Sequence, residues 1–170
     1  MDVLSEGATA NICPYDPDPA YVVKRYKRAV TQREIAMDLE KAIHTEVGSL
    51  LAGAKLRVPK LLPAKELVME RIDVRKPLWE PDVWDDLKPA VQDDYIETLA
   101  HALNVLGVHG YQMKDVEVYV QPDDTLVMLD FGQVGKIERR AEIERRVETA
   151  AMVPPSIVSR LEMAWAALTL

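Results

Sequence analysis

The apolar positions of this chain change spacing along its length, and the change predicts the order of its elements. Residues 1–30 read as strands joined by tight connections. Val3, Leu4 and Ile12 flank a small, flexible stretch, and Pro14, Pro17 and Pro19 mark a turn. Residues 21–26, Tyr-Val-Val-Lys-Arg-Tyr, are β-branched and aromatic and predict a strand. Residues 31–34, Thr-Gln-Arg-Glu, form a capping box that opens a helix. Ile35, Leu39, Ala42 and Ile43 follow at helical spacing, and a second helical piece, 45–54, carries Val47, Leu50 and Leu51. Residues 58–62 are an extended connection, and 66–72 a strand that ends in charge. Residues 74–80, with Pro77 inside, predict a linker between a strand-rich part (1–73) and a helical part (81–170). A short helix at 81–87 and a longer one at 93–106 follow. The longer one aligns Tyr95, Leu99, Ala102, Leu103 and Leu106 on one face, with Gly107 closing it as a C′ glycine. After a polar loop at 110–117, residues 118–120 and 126–129 form a hairpin about a turn at 121–124. A charged helix is expected at 137–151. Beyond Pro154-Pro155 a last helix runs from 157 to 170, with Ser156 as its N-cap. Ile157, Leu161, Trp165 and Leu168 form its buried stripe, and Met163 and Trp165 read as core. The whole predicts an α+β fold.

The totals narrow the function. A length of 170 residues suits one compact domain or two small lobes, and 48% apolar residues can build a core. A net charge of −7 argues against nucleic acid as the main partner. It favours a cationic partner surface, or an anionic ligand held by a few local lysines. Cys13 is the single cysteine, so no internal disulfide can form, which points to a reducing, cytoplasmic compartment. No apolar run approaches the ~18 residues of a membrane span. The N-terminus lacks the basic-then-apolar order of a signal peptide.

The candidate chemistry centres on residues 126–132, Leu-Val-Met-Leu-Asp-Phe-Gly. Apolar residues running into an acid predict a buried strand whose terminal carboxylate, Asp130, stands at the mouth of a cleft. The hairpin brings the 110–117 loop to the same end, gathering Lys114, Asp115, Glu117 and Asp130. Three acids and a lysine in one cleft call for a cation or a phosphate to occupy it. Upstream, Lys24 is either a solvated strand lysine or a buried cation facing phosphates. Glu46 is its candidate helix partner, with Glu34 and Glu40 as competitors. The turn around Gly7 is either a plain hairpin or a cradle whose backbone N–H groups hold phosphate oxygens.

Taken together, residues 1–135 resemble a protein kinase of minimal size. The order is a loop with Gly7, the strand lysine Lys24, the helix glutamate Glu46, and a hinge strand ending Met69-Glu70. A helix, a catalytic loop, a hairpin and Asp130-Phe131-Gly132 follow. The resemblance implies a two-lobed kinase-like fold with an antiparallel N-lobe sheet plus helix (1–73), a hinge (74–80) and a reduced helical C-lobe (81–170). It implies ATP and Mg²⁺ as cofactors. Ile12 and Val22 would roof the adenine, Tyr119 would floor it, and the backbone of Glu70 and Ile72 would bond its edge. Met69 would be the gatekeeper, Lys24 oriented by Glu46 would hold the α- and β-phosphates, and Asp130 would bind the metal.

The departures are as informative. The family's loop His-Arg-Asp-Leu-x-x-x-Asn falls on residues 110–117, Gly-Tyr-Gln-Met-Lys-Asp-Val-Glu. Gln112 takes the catalytic-base position, Lys114 keeps the loop lysine's place, and Glu117 takes the second metal position. Asp115 is the substitute base if the loop rearranges. No Ala-Pro-Glu follows Gly132. The expected function is an atypical ATP/Mg-dependent phosphotransferase of Ser/Thr type acting on a protein substrate. The alternatives are a pseudokinase that binds nucleotide or a protein partner without transfer, and adenylylation or small-molecule phosphorylation. Short kinase-like chains with trimmed C-lobes occur among bacterial effectors and viruses. The resemblance therefore extends to an effector or viral protein acting in a host cytosol.

Overall fold

The computed structural model describes residues 2–113, 115–132, 134–136, 147 and 153–168. Strands β1 (Ser5–Glu6), β2 (Ala10–Pro14), β3 (Tyr21–Tyr26) and β5 (Leu67–Glu70) form an antiparallel sheet in the order β1-β2-β3-β5. Side chains alternate between the faces of a strand, and both faces of β3 are covered. Val23 packs with Cys13 and Val68 on one side. Val22 packs with Leu67 and Met69 on the other, where Met37 of helix α1 (Arg33–Leu50) lies against them. Lys24 and Tyr26 share the face of Val22, so the period of the strand alone turns them toward α1.

Helix α1 departs from its sequence reading in three ways. The capping box does not form: the N-cap is Gln32, in the left-handed region at φ 52°, with no side-chain cap bond. That register leaves Thr31 outside the helix and Glu34 at the second helical position, where neither can make the reciprocal bonds of the box. The two helical pieces are one helix of 18 residues. Its buried stripe is Glu40, His44 and Val47, while Ile35 and Leu39 are 62% and 59% exposed. Polar groups with partners inside have taken the face that hydrophobicity assigned to Ile35 and Leu39.

The second sheet joins β4 (Leu56–Arg57), β8 (Leu126–Leu129) and β7 (Glu117–Val120). β7 and β8 are the expected hairpin; β4 runs parallel to β8. The 110–117 stretch is not all loop: β6 (Tyr111–Met113) pairs with β9 (Val134–Lys136). Tyr111 and Met113 are buried on either side of Gln112, a period-two signal too short to stand out. Residues 74–80 are tied down, because Leu78 N–H donates to the Val118 carbonyl, Val120 N–H donates to the Lys76 carbonyl, and Leu78 and Trp79 are buried.

Helices α2 (Pro81–Trp84), α3 (Pro89–Val108) and α4 (Pro155–Ala166) enclose the main core. Prolines at the first turns of all three suit positions whose N–H would go unpaired. α3 runs through Gly107, which is buried inside it, and ends at a His109 cap, so Gly107 is not a C′ glycine. Pro154, rather than Ser156, stands at the N-cap of α4. Ile157, Leu161 and Trp165 are buried against α3, and Met163 is 74% exposed and not core. Each fully buried leucine here, such as Leu99, Leu106 or Leu161, contributes about 1.5–3 kcal/mol. The expected charged helix at 137–151 and Lys114 lie outside the described residues, apart from Val147. No described helix is long and apolar enough to cross a membrane.

Candidate functional site

A cleft of about 870 Å³ opens between the first sheet, the 70–75 segment and the β7–β8 hairpin. Gly7, Ile12, Val22, Met69, Ile72 and Tyr119 contribute to its walls, as do the charged Lys24, Glu70, Asp115, Glu117 and Asp130. Two of the expected residues are elsewhere. Gln112 and Glu46 are not among the described residues that line the cleft.

Lys24 is the centre of the charged end. It is 8% exposed, and its Nζ donates to Glu40 Oε1 at 2.8 Å and to Asp130 Oδ1 at 2.9 Å. Burial works against its charge, but the Glu40 and Asp130 carboxylates outweigh that cost and hold its pKa above the ordinary lysine value. Glu40 is 2% exposed, and its second oxygen accepts the Tyr26 hydroxyl. Asp130 faces the cleft with a 43% exposed side chain. Its backbone is left-handed at φ 62°, and Gly132 N–H donates to its Oδ1 at 3.3 Å. An αL turn directly after a buried strand carries the carboxylate back toward Lys24 rather than onward with the strand.

The helix partner of Lys24 is therefore Glu40, not Glu46. Six residues turn an α-helix by about 600°, which leaves Glu46 about 120° from Glu40 around the axis, so both cannot face Lys24. Glu46 instead accepts the Tyr111 hydroxyl and ties α1 to β6. For a nucleotide in this cleft, the reading proposed below, Glu46→Gln is expected to change affinity by less than about twofold, as surface substitutions usually do. Glu40→Gln is expected to weaken it on the order of tenfold, one charge-assisted contact's worth. Titration of each variant with a fluorescent nucleotide checks the contrast.

At the other acid position, Glu117 accepts the Tyr119 hydroxyl. Burial raises the Glu117 pKa, and the charges of Asp130 and Asp115 add to that, against the Tyr119 bond and Lys24. Residues 117 and 119 share one face of β7, which is why both reach the cleft while Val118 and Val120 enter the core. Glu70 lines the cleft but directs its carboxylate to Arg57 at 3.0 and 2.8 Å. Its N–H donates to the Lys60 carbonyl, so toward a ligand's edge it can offer only its own carbonyl. Gly7 closes a tight turn, in which an added Cβ would lie 3.1 Å from the Ala10 carbonyl.

His44 and Phe131 link α1 to the segment after β8. Their rings meet edge-on at 5.0 Å and 74°. His44 Nε2 lies 2.7 Å from the Pro59 carbonyl oxygen, so the protonated nitrogen there donates to it. Burial lowers the His44 pKa below its usual 6.5, against the Pro59 bond and the Glu40 charge. The unfolded chain thus binds this proton more readily than the folded one, and His44 takes stability away as pH falls through 6.5. Urea midpoints taken from about pH 7.5 to 5.5 should fall, and His44→Leu should remove that part of the slope. An unchanged slope would show that the ring does not titrate in this way.

Sequence reading did not single out Tyr26 or His44. The signals were present: Tyr26 shares a strand face with Lys24, and His44 lies one turn beyond Glu40 on α1.

Neither the family models nor the curated proteins give a match to this sequence. The solved structures do. The chain is similar to the kinase PK-1 of Cydia pomonella granulovirus, with a TM-score of 0.54 and 17% sequence identity. The match takes in 81% of this chain and 52% of that one, so the chain spans about half the length of the viral kinase. The likeness establishes a kinase-like fold: mixed α and β, with an antiparallel sheet and helices.

Proposed function

We propose that the cleft binds Mg–ATP and that the chain is an atypical kinase-like phosphotransferase of Ser/Thr type. The observation that carries this reading is the buried ammonium of Lys24, held between Glu40 and the cleft-facing Asp130. An ammonium so placed can meet phosphate oxygens without losing its helix partner. Ile12, Val22, Met69 and Tyr119 supply apolar walls for a base. The carbonyl of Glu70 and the backbone of Ile72 are the groups to recognise its edge.

The acids suit magnesium in number. Among the described residues no three His, Cys, Asp or Glu side chains form a complete cation cage. Mg²⁺ is ordinarily held by one or two carboxylates together with substrate phosphates and water, and Asp130 and Glu117 are the two that would hold it. The ion would neutralise charge on the transferring phosphoryl group. In the proposed two-lobed reading, residues 1–73 carry the base and phosphates, 74–80 form the hinge, and 81–170 supply the acids and the supporting helices. A general base contributes about 10²–10⁴-fold. Gln112 at that position cannot take a proton, so the chain is expected to be slow, with Asp115 the carboxylate in the cleft able to replace it. The loop-lysine role that the resemblance gives Lys114 falls outside the described residues.

The position of Gln112 in β6, away from the cleft-lining residues, favours a second reading. In it the chain is a pseudokinase that binds nucleotide and grips a protein partner without transfer. Incubation with magnesium and ATP labelled at the α- or γ-phosphate separates the readings. Incorporation of γ-label into protein, lost in Lys24→Met and Asp130→Asn, supports transfer. Tight binding without incorporation supports the binding module, and incorporation of α- but not γ-label supports adenylylation.

A further inference from the structure

Tyr26 stands at the point where three elements meet. It lies two residues after Lys24 on β3, and its hydroxyl donates to Glu40 Oε2 on α1. The other oxygen of the same carboxylate accepts Lys24 at 2.8 Å. From the segment after β8, Gly132 approaches so closely that an added Cβ would lie 3.1 Å from the Tyr26 hydroxyl. The same point is 3.3 Å from Glu40 Oε2 and 3.4 Å from Asp130 Oδ1. The Lys24 ammonium sits 5.8 Å from the centroid of the Tyr26 ring.

A carboxylate bonded through one oxygen can still swing about its terminal torsion, which has broad, roughly two-fold preferences. Bonded through both oxygens to groups on one strand, it has a fixed plane. Glu40 is in the second condition. Burial lifts the Tyr26 phenol far above its ordinary pKa of 10, and the Glu40 bond adds to that, so the hydroxyl remains a donor at any working pH. A packing role needs only the ring. The donated proton is what the second oxygen of a 2% exposed carboxylate requires.

We propose that Tyr26 is a positioning residue: its hydroxyl fixes the plane of the Glu40 carboxylate, which in turn aims Lys24 at the cleft beside Asp130. The role rests on the Mg–ATP reading above, because it matters only if Lys24 meets a ligand there. Tyr26 touches neither the ligand nor the reacting atoms; it acts through Glu40.

The test is a double-mutant cycle on the full chain, with Tyr26→Phe, Glu40→Gln and the pair, each titrated with Mg–ATP by calorimetry. Phenylalanine keeps the ring and its packing, and thermal unfolding of each variant checks that the fold persists. Tyr26→Phe is expected to weaken nucleotide binding on the order of tenfold, the effect of losing one charge-assisted bond. If Tyr26 acts through Glu40, the pair binds no more weakly than Glu40→Gln alone. Wild-type binding with an undiminished Tyr26→Phe, or losses that add in the pair, overturns the positioning role and leaves the nucleotide site standing. A wild-type chain that takes up no nucleotide overturns the reading beneath it, and the role of Tyr26 with it.

Discussion

Lys24→Met is expected to lower the unfolding free energy by about 3–5 kcal/mol, the cost typical of removing one partner from a buried ion pair. Glu40, 2% exposed, would be left as a buried anion with the Tyr26 hydroxyl as its remaining hydrogen-bond donor among the described residues. That bond persists, so the lower end of the range is the expectation. Against a total stability of about 5–15 kcal/mol this is large, and urea unfolding reads it directly. The same change should weaken Mg–ATP binding at least ~30-fold, since truncating a buried charge contact costs about 2 kcal/mol or more. The two effects separate in the double variant Lys24→Met/Glu40→Leu. Replacing both members of a buried pair by apolar residues is often neutral for stability. Stability should therefore return in the double variant while nucleotide affinity does not. Recovery of both would mean that Lys24 is a structural charge only.

Asp130→Asn should do the reverse: hold the fold and abolish the proposed metal dependence of nucleotide binding. Lys24 keeps Glu40, and the side chain of Asp130 is 43% exposed, so its ion pair is screened and contributes about 0–1 kcal/mol. Asparagine tolerates the left-handed backbone at this position, so no strain is added. What goes is the charge at the cleft mouth. Coupling between two ligands that share a site is typically about 5–150-fold. In Asp130→Asn the ratio of ATP affinities with and without magnesium should collapse toward one, while the thermal midpoint stays close to that of the wild type. A variant that keeps the full magnesium dependence would move the metal to another residue.

The parts of the fold that were legible in the sequence are those in which local pattern and tertiary demand agree. β3 is apolar and β-branched and is buried on both faces; the β7–β8 hairpin has its turn where the polar residues cluster. Asp115, Glu117 and Asp130 line one cleft, at the end of the hairpin where the sequence gathers them, and Lys24 lines it too, a position given by the resemblance rather than by the hairpin; Lys114 lies outside the described residues. α1 was harder to read because its inward stripe is partly charged. Hydrophobic spacing seeks apolar residues inside, and here Glu40 and His44 lie inside with Lys24, Tyr26 and the Pro59 carbonyl as partners. The same cause misplaced the partner of Lys24. With Ile35 and Leu39 turned inward, Glu40 would not face the sheet; with the helix rotated as it is, Glu46 does not. β6 was hidden for another reason. Its ladder partner, Val134–Lys136, lies more than twenty positions further along the chain, and three residues give too little alternation to declare a strand. Gln112 was placed by motif alignment alone, and that strand holds it out of the wall of the cleft.

In the proposed site the Lys24 ammonium and the Asp130 and Glu117 carboxylates meet on one metal-bound triphosphate. Isothermal titration of the full chain with ATP and with ADP, in magnesium and then in excess chelator, tests it most directly. Saturable uptake of one nucleotide per chain is expected, weakening severalfold or more when the metal is removed. Absence of heat with either nucleotide at millimolar concentration, in the presence of magnesium, would contradict it.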